Sequence, residues 1–384
     1  MTDNSQELAA VRLTDEAWMA RALVLAHRGV ALAHPNPMVG AVVVREDRSK
    51  NARAVGEGFH TYEGRKHAEI IALEEARANA RRATLYVNLE PCCHIGRTGP
   101  CTKAIIDAGV KRVVVAMKDP NPRVAGRGIR ELRAAGIAVT VGVREADARQ
   151  LNEAFAKWIR TKLPFVTLKT ALTLDGQIAA RAGSATWLTS EASREEVQRM
   201  RHESDALLTG IGTVVADDPR MTDRTRLPRR RPLLRAIVDS KLRMPVKSGI
   251  LKSAKNDVLI FTTQSADSAK AKALRKAGAE IVQVRPRGGH VDLREVLREM
   301  GKREFLNIIL EAGSELNGAT LAAGLVDKMV LFYAPKIMGG GGAPMARVPS
   351  QWFSRAPALS QLSFRRYGPD FAVQGYFHDV YRNH

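Results

Sequence analysis

His67-Ala68-Glu69 and, about 25 residues further on, Pro91-Cys92 followed by Cys101 are the residues of this chain whose types and spacing most directly imply chemistry. One imidazole and two thiolates fill three positions of a catalytic zinc site and leave the fourth to water. Zinc brings the pKa of a bound water toward neutrality, so a nucleophile is available without strong base. Glu69, a carboxylate two residues from the histidine, is placed to carry the water's proton to a ring nitrogen and then to departing ammonia. Cys101 opens a predicted helix, where the positive end of the dipole favours thiolate. A purely structural zinc site could recruit His94 as a fourth ligand, but that leaves Glu69 without a role.

The elements that must position these groups are legible from periodicity. A helix is expected from Asp15 to about Leu32, ended by His34-Pro35-Asn36-Pro37, then strands over 39–44 and 54–59. His67 to about Ala80 reads as a helix, 84–89 as a strand, 101–108 as a helix and 112–117 as a strand; 126–135 and 137–141 repeat helix then strand. A connecting helix is expected from Leu151 to Lys162, with a domain boundary after it: 1–162 in front, 163–384 behind. The second part alternates again, with strands over 165–168, 206–208, 234–238, 258–261, 280–284, 307–310, 328–333 and 371–377. Helices are expected over 191–202, 265–277, 293–300 and 316–323. Such alternation predicts α/β domains with sheets covered by helices and largely parallel toward the end of the first.

Composition narrows the classes. The 384 residues exceed the size at which one core stops growing, so two domains are the default, and 45% hydrophobic with 26% charged residues is globular. Cys92, Cys93 and Cys101 are too few, too close and too odd in number for a secreted disulfide framework. The start lacks a signal-peptide core and no run of about 18 apolar residues occurs, so a cytoplasmic protein without a membrane partner is expected. The net charge is +20. Residues 1–160 carry 25 Lys/Arg against 18 Asp/Glu, and aromatic residues are only 5%, so no tract of interleaved bases and rings suits single strands; no nucleic-acid partner is expected. The local cluster Arg224, Arg226, Arg229, Arg230, Arg231 and Arg235 reads as a loop, either solvated or holding phosphate. Two rival classes share the zinc chemistry or the charge: a nucleic-acid deaminase, and a zinc-stabilised binding module without catalysis.

The spacing departs from the general H-x-E…P-C-x-x-C pattern of zinc deaminases, because Cys92 and Cys101 are nine apart. Pro91-Cys92-Cys93-His94-Ile95-Gly96-Arg97-Thr98-Gly99-Pro100-Cys101 resembles the insertion of riboflavin-pathway deaminases, which implies the outer cysteines as ligands and Cys93, where serine is usual, as a non-ligand. His34-Pro35-Asn36-Pro37-Met38-Val39-Gly40 resembles that family's substrate loop, and Asp119-Pro120-Asn121-Pro122 with Gly126-Arg127-Gly128 its other wall. The resemblance therefore implies substrate contacts at Asn36, His94, Asp119 and Asn121, and places Arg97 and Thr98 nearby.

The second part shows no G-x-G-x-x-G; Gly210-Ile211-Gly212 lacks the third glycine. Leu310-Glu311-Ala312-Gly313-Ser314 is a strand running into a helix N-terminus, a place that suits phosphate. Lys169 with Leu174-Asp175-Gly176, Trp187-Leu188-Thr189-Ser190, Gly212 to Pro219 and Glu311-Ala312-Gly313 together resemble the reductase half of the bifunctional deaminase–reductases of bacterial riboflavin synthesis. That likeness implies a cytidine-deaminase-like three-layer α/β/α domain followed by a dihydrofolate-reductase-like α/β domain. It implies zinc and NADPH as cofactors and a pyrimidine ribonucleotide as substrate, deaminated on the ring and then reduced from ribosyl to ribityl. Ala171, Trp187, Thr213, Asp217, Ser240 and Gly313-Ser314-Glu315-Leu316-Asn317-Gly318 are implied to line the cofactor. Lys169, Ala185, Arg201, Arg220, Arg224 and Glu311 are implied to hold substrate, with arginine suited to phosphate by its planar fork. A homo-oligomer, dimer or tetramer, is also implied.

Overall fold

The computed structural model describes residues 4–46, 52–62, 66–94, 99–179, 188–265, 267–350, 352 and 357–382, with side chains from residue 15 onward. The chain divides into two compact units, Met1–Thr161 and Lys162–His384.

In the first unit, helix α1 (Asn4–His27) leads to strands β1 (Gly40–Glu46) and β2 (Ala52–Phe59), helix α2 (Ala68–Ala76), strand β3 (Thr84–Leu89), helix α3 (Cys101–Asp107) and strand β4 (Arg112–Met117). Helix α4 (Arg127–Ala134), strand β5 (Ala138–Val141) and helices α5 (Glu145–Leu151) and α6 (Glu153–Thr161) complete it. The sheet order is β2-β1-β3-β4-β5, antiparallel through β3 and parallel from β3 to β5. Val113, Val114 and Val115 on β4 are fully buried, the continuous apolar run expected of a strand covered on both faces. Helix α2 lies unusually close to β2: a Cβ on Gly58 would stand 2.3 Å from the Ala68 carbonyl oxygen, so only glycine permits the approach that seats the start of α2.

Several elements differ from expectation: α1 begins at Asn4, before the expected Asp15, and α2 ends at Ala76, short of Ala80. Helix α1 ends at His27, short of Leu32, because the chain turns at Gly29 and Ala31 takes a left-handed φ of 57°. The connecting segment is two helices broken at Asn152, whose side-chain oxygen accepts from the Met38 N–H at 2.8 Å while its amide donates to the Met38 carbonyl at 3.0 Å. That pair of bonds ties the loop holding Asn36 to the end of the unit, at the cost of helix continuity.

The second unit begins with β6 (Phe165–Thr173), β7 (Gln177–Ala179), α7 (Glu191–Glu203), β8 (Ala206–Gly210), α8 (Ile211–Asp217) and β9 (Leu234–Val238). It continues through α9 (Gly249–Lys252), β10 (Val258–Thr262), α10 (Ala269–Lys276), β11 (Ala279–Gln283), the hairpin β12 (Pro286–Arg287) and β13 (His290–Val291), and α11 (Leu293–Lys302). β14 (Asn307–Leu310), α12 (Ser314–Ala322), β15 (Lys328–Ala334), β16 (Ala343–Pro344), β17 (Ser360–Tyr367) and β18 (Asp370–Tyr376) follow. The main sheet runs β11-β10-β9-β8-β14-β6-β15-β18-β17, parallel as far as β15 and antiparallel at the β18-β17 edge. Apolar clusters pack on both faces, one around Leu168, Leu208, Leu310 and Phe261 and one around Leu207, Ile237, Ile260 and Ile309. Successive residues of one strand feed opposite clusters, as the pleat requires. Helix α8 and strand β17 were not anticipated: α8 is one short stretch of seven residues, and the exposed pattern of β17 carries no buried alternation.

Candidate active site

His67 is the N-cap of α2 and holds an extended backbone, which turns its ring back toward the loop after β3. Its Nδ1 lies 3.1 Å from Cys101 Sγ and 3.4 Å from Cys92 Sγ, and the Cys101 N–H donates to Cys92 Sγ at 3.4 Å. The three donor atoms all fall within 4.8 Å of one another, the only such cluster of three or more among the described residues. The hydrogen bond from Cys101, reinforced by His67, outweighs burial and holds the Cys92 thiol down at about 4. Cys101 is pushed up, first by sharing that bond and then by burial. A divalent cation would displace the shared proton and satisfy both sulfurs. This donor set of one nitrogen and two sulfurs fits zinc with one position left over.

Glu69 is on the first turn of α2 and only 4% exposed. Burial pushes its carboxyl above the ordinary range, and the His67 charge opposes that. A carboxyl that takes and releases a proton beside a metal position is what proton transfer during ring deamination needs.

The walls are built from loops. Asn36 Nδ2 donates to His60 Nε2 at 2.9 Å, and His60 Nδ1–H donates to the Lys66 carbonyl at 2.8 Å. Burial lowers the His60 pKa, consistent with a neutral ring standing edge-on to His67 at 5.5 Å. On the other side, Glu90 accepts from the backbone N–H groups of Asp119 (3.2 Å), Gly126 (2.8 Å) and Ile129 (3.2 Å), and Asp119 accepts from the Asn121 N–H at 2.8 Å. Burial pushes Asp119 up to about 7. A Cβ on Gly128 would meet the Pro91 carbonyl at 2.1 Å, so α4 packs directly against the residue preceding Cys92. His94 is exposed, and Arg97 and Thr98 lie outside the described residues. His60, Glu90 and Asn152 were missed in the sequence. Glu90 adjoins Pro91-Cys92 and His60 follows a Gly-x-Gly-x run seven residues before His67, signals that spacing alone does not rank.

A cavity of about 1530 Å³ opens in the other unit at the C-terminal ends of β8, β9 and β14 and beside β6, the place where open α/β sheets bind ligands. Its wall brings together Lys169, Ala171, Arg201, Thr213, Asp217, Arg220, Arg224, Ser240, Glu311, Gly313, Ser314, Glu315 and Leu316. Arg201 donates from Nε and Nη2 to the two oxygens of Glu311 at 2.7 and 3.0 Å, and Lys169 Nζ stands 3.6 Å from the same carboxylate. Burial lowers the Lys169 pKa against the pull of Glu311. The volume accommodates a dinucleotide together with a second ligand, and α12, capped by Gly313, aims its N-terminus at the wall.

Asn317 and Gly318 are not on that wall. Asn317 is fully buried and donates to the carbonyls of Ala312 and Met345, while a Cβ on Gly318 would overlap the Arg347 carbonyl at 1.8 Å. One face of α12 meets the cavity and the next meets the 345–347 strap, so of the expected lining from 313 to 318 the cavity wall carries 313 to 316. Ala185 and Trp187 lie outside the described residues. The arginine cluster is also dispersed. Arg224 reaches the cavity; Arg235, on β9 and 1% exposed, pairs with Asp257 at 2.7 Å; Arg229 pairs with Asp223 at 2.8 Å; Arg231 donates to the Glu304 carbonyl. Lys241, Arg243, His290 and Arg347 line the cavity without having been foreseen.

These geometries agree with comparison to known proteins. A family model described as the cytidine and deoxycytidylate deaminase zinc-binding region matches residues 12–117, and one described as the RibD C-terminal domain matches residues 164–373. The fold and its two sites thus define a zinc deaminase joined to a dihydrofolate-reductase-like reductase. Riboflavin biosynthesis protein RibD of Aquifex aeolicus is 41% identical over 331 residues, covering 86% of this chain and 90% of the relative. That of Escherichia coli is 40% identical over 373 residues, covering 94% and 99%. A solved structure of Acinetobacter baumannii RibD superposes with a TM-score of 0.83 at 35% identity, covering 95% of this chain and 99% of that one. The chain belongs to the RibD family: it is a bifunctional deaminase and reductase of riboflavin biosynthesis that uses Zn²⁺ and NADPH. Among the described residues no helix is long and apolar enough to cross a membrane.

Proposed function

We propose that the first unit deaminates the pyrimidine and the second reduces the sugar of the same small ribonucleotide, with the residue roles set out below. A structure from Thermotoga maritima, similar with a TM-score of 0.82 and 34% identity, is that of a diaminohydroxyphosphoribosylaminopyrimidine deaminase and 5-amino-6-(5-phosphoribosylamino)uracil reductase. The same two substrates are assigned to this chain. The observation that carries the reading is the convergence of His67, Cys92 and Cys101 within 4.8 Å beside buried Glu69.

His67, Cys92 and Cys101 hold the zinc, which when bound makes water nucleophilic at neutral pH. Glu69 would act as the proton carrier, passing one of the attacking water's two protons to the ring nitrogen and the other to the amino group that leaves as ammonia. Asn36, held by His60, and the Asp119–Asn121 loop, held by Glu90, orient the ring and ribose between them; His94 stands at the rim.

In the second unit NADPH supplies the hydride, and the protein's task is orientation. Ala171, Thr213, Asp217, Ser240 and the Gly313–Leu316 turn hold the cofactor; Trp187 belongs to the same set by family likeness. Lys169 and Glu311 face the sugar hydroxyls, Arg201 fixes Glu311, and Arg220 and Arg224 meet the phosphate; Ala185 is assigned nearby by family likeness. The same reading carries a cytoplasmic location and a homo-oligomer, dimer or tetramer. The exposed Leu362 and Phe364 on β17, at the edge of the main sheet, favour association, which light scattering tests.

The decisive experiment combines zinc analysis with ammonia release and NADPH oxidation on the diaminopyrimidine nucleotide. About one zinc per chain, with ammonia preceding loss of NADPH absorbance, is expected. NADPH consumption without prior ammonia release would sink the order, and absence of zinc would sink the first site.

A further inference from the structure

Met221, Thr222 and Arg224 line the cavity of the second unit from the segment between α8 and β9, which carries no helix or strand of its own. Such a segment must be held from outside if its side chains are to meet a ligand at a fixed place. Here three successive residues are each bound to the last two turns of α7. The Thr222 carbonyl accepts from Arg201 Nη1 at 3.1 Å, the Asp223 carboxylate accepts from His202 Nδ1–H at 3.0 Å, and the Arg224 N–H donates to Gln198 Oε1 at 2.9 Å. Gln198, Arg201 and His202 stand at i, i+3 and i+4, so one face of the helix makes all three bonds.

Asp223 is the centre of this arrangement, and none of the roles assigned above uses it. Its side chain is 8% exposed and both oxygens are engaged twice. Oδ1 accepts from the Thr225 N–H at 2.9 Å and the Thr225 hydroxyl at 2.7 Å; Oδ2 accepts from His202 at 3.0 Å and from Arg229 Nη1 at 2.8 Å. Burial pushes this carboxyl up, but the bonds from Thr225, His202 and Arg229 outweigh it and hold the group below the ordinary carboxylate range. Arg229 also donates from Nη2 to the carbonyl of Ser204, the C-cap of α7, and from Nε to the Arg231 carbonyl, each at 2.8 Å. Arg224 thus sits between pinned neighbours: the bonds from Asp223 to Thr225 arch across it, and its own N–H is tied to α7. Its guanidinium, by contrast, is exposed and has no hydrogen-bonding or ion-pair partner among the described residues. A fixed backbone beneath an unpartnered cation at a cavity wall is a preorganised anion contact, because little freedom remains to be lost on binding.

We propose that Asp223 is a positioning residue for the reduction: clamped by His202 and Arg229, it holds Arg224 where the phosphate of the nucleotide substrate docks, and so sets the preference of the second unit for a phosphorylated substrate. The proposal rests on Arg224 meeting that phosphate, as assigned above. It gives Arg229, in the arginine-rich stretch after α8, a task that needs no contact with any ligand. It also joins the two halves of the substrate site, since α7 carries both the clamp on this segment and the Arg201 that grips Glu311.

Steady-state NADPH oxidation by the full chain tests this, with 5-amino-6-(5-phosphoribosylamino)uracil and with the same compound lacking its phosphate. Wild type is expected to favour the phosphorylated substrate at least about tenfold in kcat/KM, the worth of one charge-assisted hydrogen bond. Asp223→Asn should raise KM for that substrate about fivefold with kcat within about twofold, and leave KM for NADPH and kcat/KM for the phosphate-free compound as in wild type. Because Asp223 acts through Arg224, the same substitution made on Arg224→Ala should add nothing further. Arg229→Lys, which keeps the charge but not the forked donors, should show the same split at about twofold, and it decides the matter if Asp223→Asn does not fold. An equal loss on both substrates, an effect that adds in full to that of Arg224→Ala, or a preference untouched in both variants would each overturn the proposal. Should Arg224→Ala itself keep the wild-type preference, the phosphate contact beneath the proposal falls, and the positioning role with it.

Discussion

Arg201 and Glu311, 110 residues apart, meet as a two-pronged ion pair with side chains only 13% and 10% exposed. Burial by itself would push the Glu311 carboxyl up; the charges of Arg201 and then Lys169 outweigh it and hold it at about 2. Because the folded value lies below the ordinary one near 4.5, the pair stabilises the fold above pH 4.5, and that contribution is lost as pH falls toward 2. Glu311→Gln should therefore destabilise the protein by about 3 kcal/mol at neutral pH, with the gap to wild type closing between those values. Denaturant melts across pH check this; a gap independent of pH would count against it. NADPH oxidation should be lost and ammonia release retained.

Glu69→Gln should keep zinc while ammonia release falls by about 10²- to 10⁴-fold, the usual worth of a positioned general acid–base. Metal analysis on the same sample separates loss of the proton carrier from loss of the ion. Normal deamination by the variant would remove Glu69 from its role.

Removing the metal should separate the two activities. Dialysis against a strong chelator, or Cys101→Ser, is expected to abolish ammonia release and leave reduction of the deaminated intermediate unchanged, since no member of the His67, Cys92 and Cys101 cluster lies in the second unit. Parallel loss of both rates would contradict that.

Gly128→Ala drives a methyl into the Pro91 carbonyl, which is backbone and has little room to yield. A loss of about 1–3 kcal/mol of stability is expected. Zinc affinity should fall as well, because the displaced residue precedes Cys92. A fluorescent zinc competitor reads this, and an unchanged affinity would show that α4 does not position the loop.

Glu90→Gln replaces an anion that accepts from three backbone N–H groups by a neutral amide. Hydrogen bonds to a charged acceptor contribute about 1.5–3 kcal/mol. KM for the pyrimidine should rise more than kcat falls, as expected of a residue that holds a wall in place without touching the reacting atoms. A drop confined to kcat would place Glu90 in the chemistry instead.

The strands β3, β4, β9 and β14 are legible to the residue, because each is a short apolar run bounded by turn residues and covered on both faces. The metal cluster is legible for a related reason: His67 and Glu69 share one helix start, and Cys92 and Cys101 flank one loop, so local spacing already constrains them. Nothing local says that Asn152 breaks a helix to clasp Met38, that Glu90 gathers three amides, or that Arg235 belongs to a buried strand and Arg224 to a cavity. Those outcomes depend on which face of an element meets which neighbour. Asn317 and Gly318 differ from Glu315 and Leu316 only by their angle around α12, and the 345–347 strap decides what that angle meets. Residue types and periodicity determined the chemistry and the order of elements; packing across long separations in the chain decided which charges are paired, which are free, and where the second ligand lies.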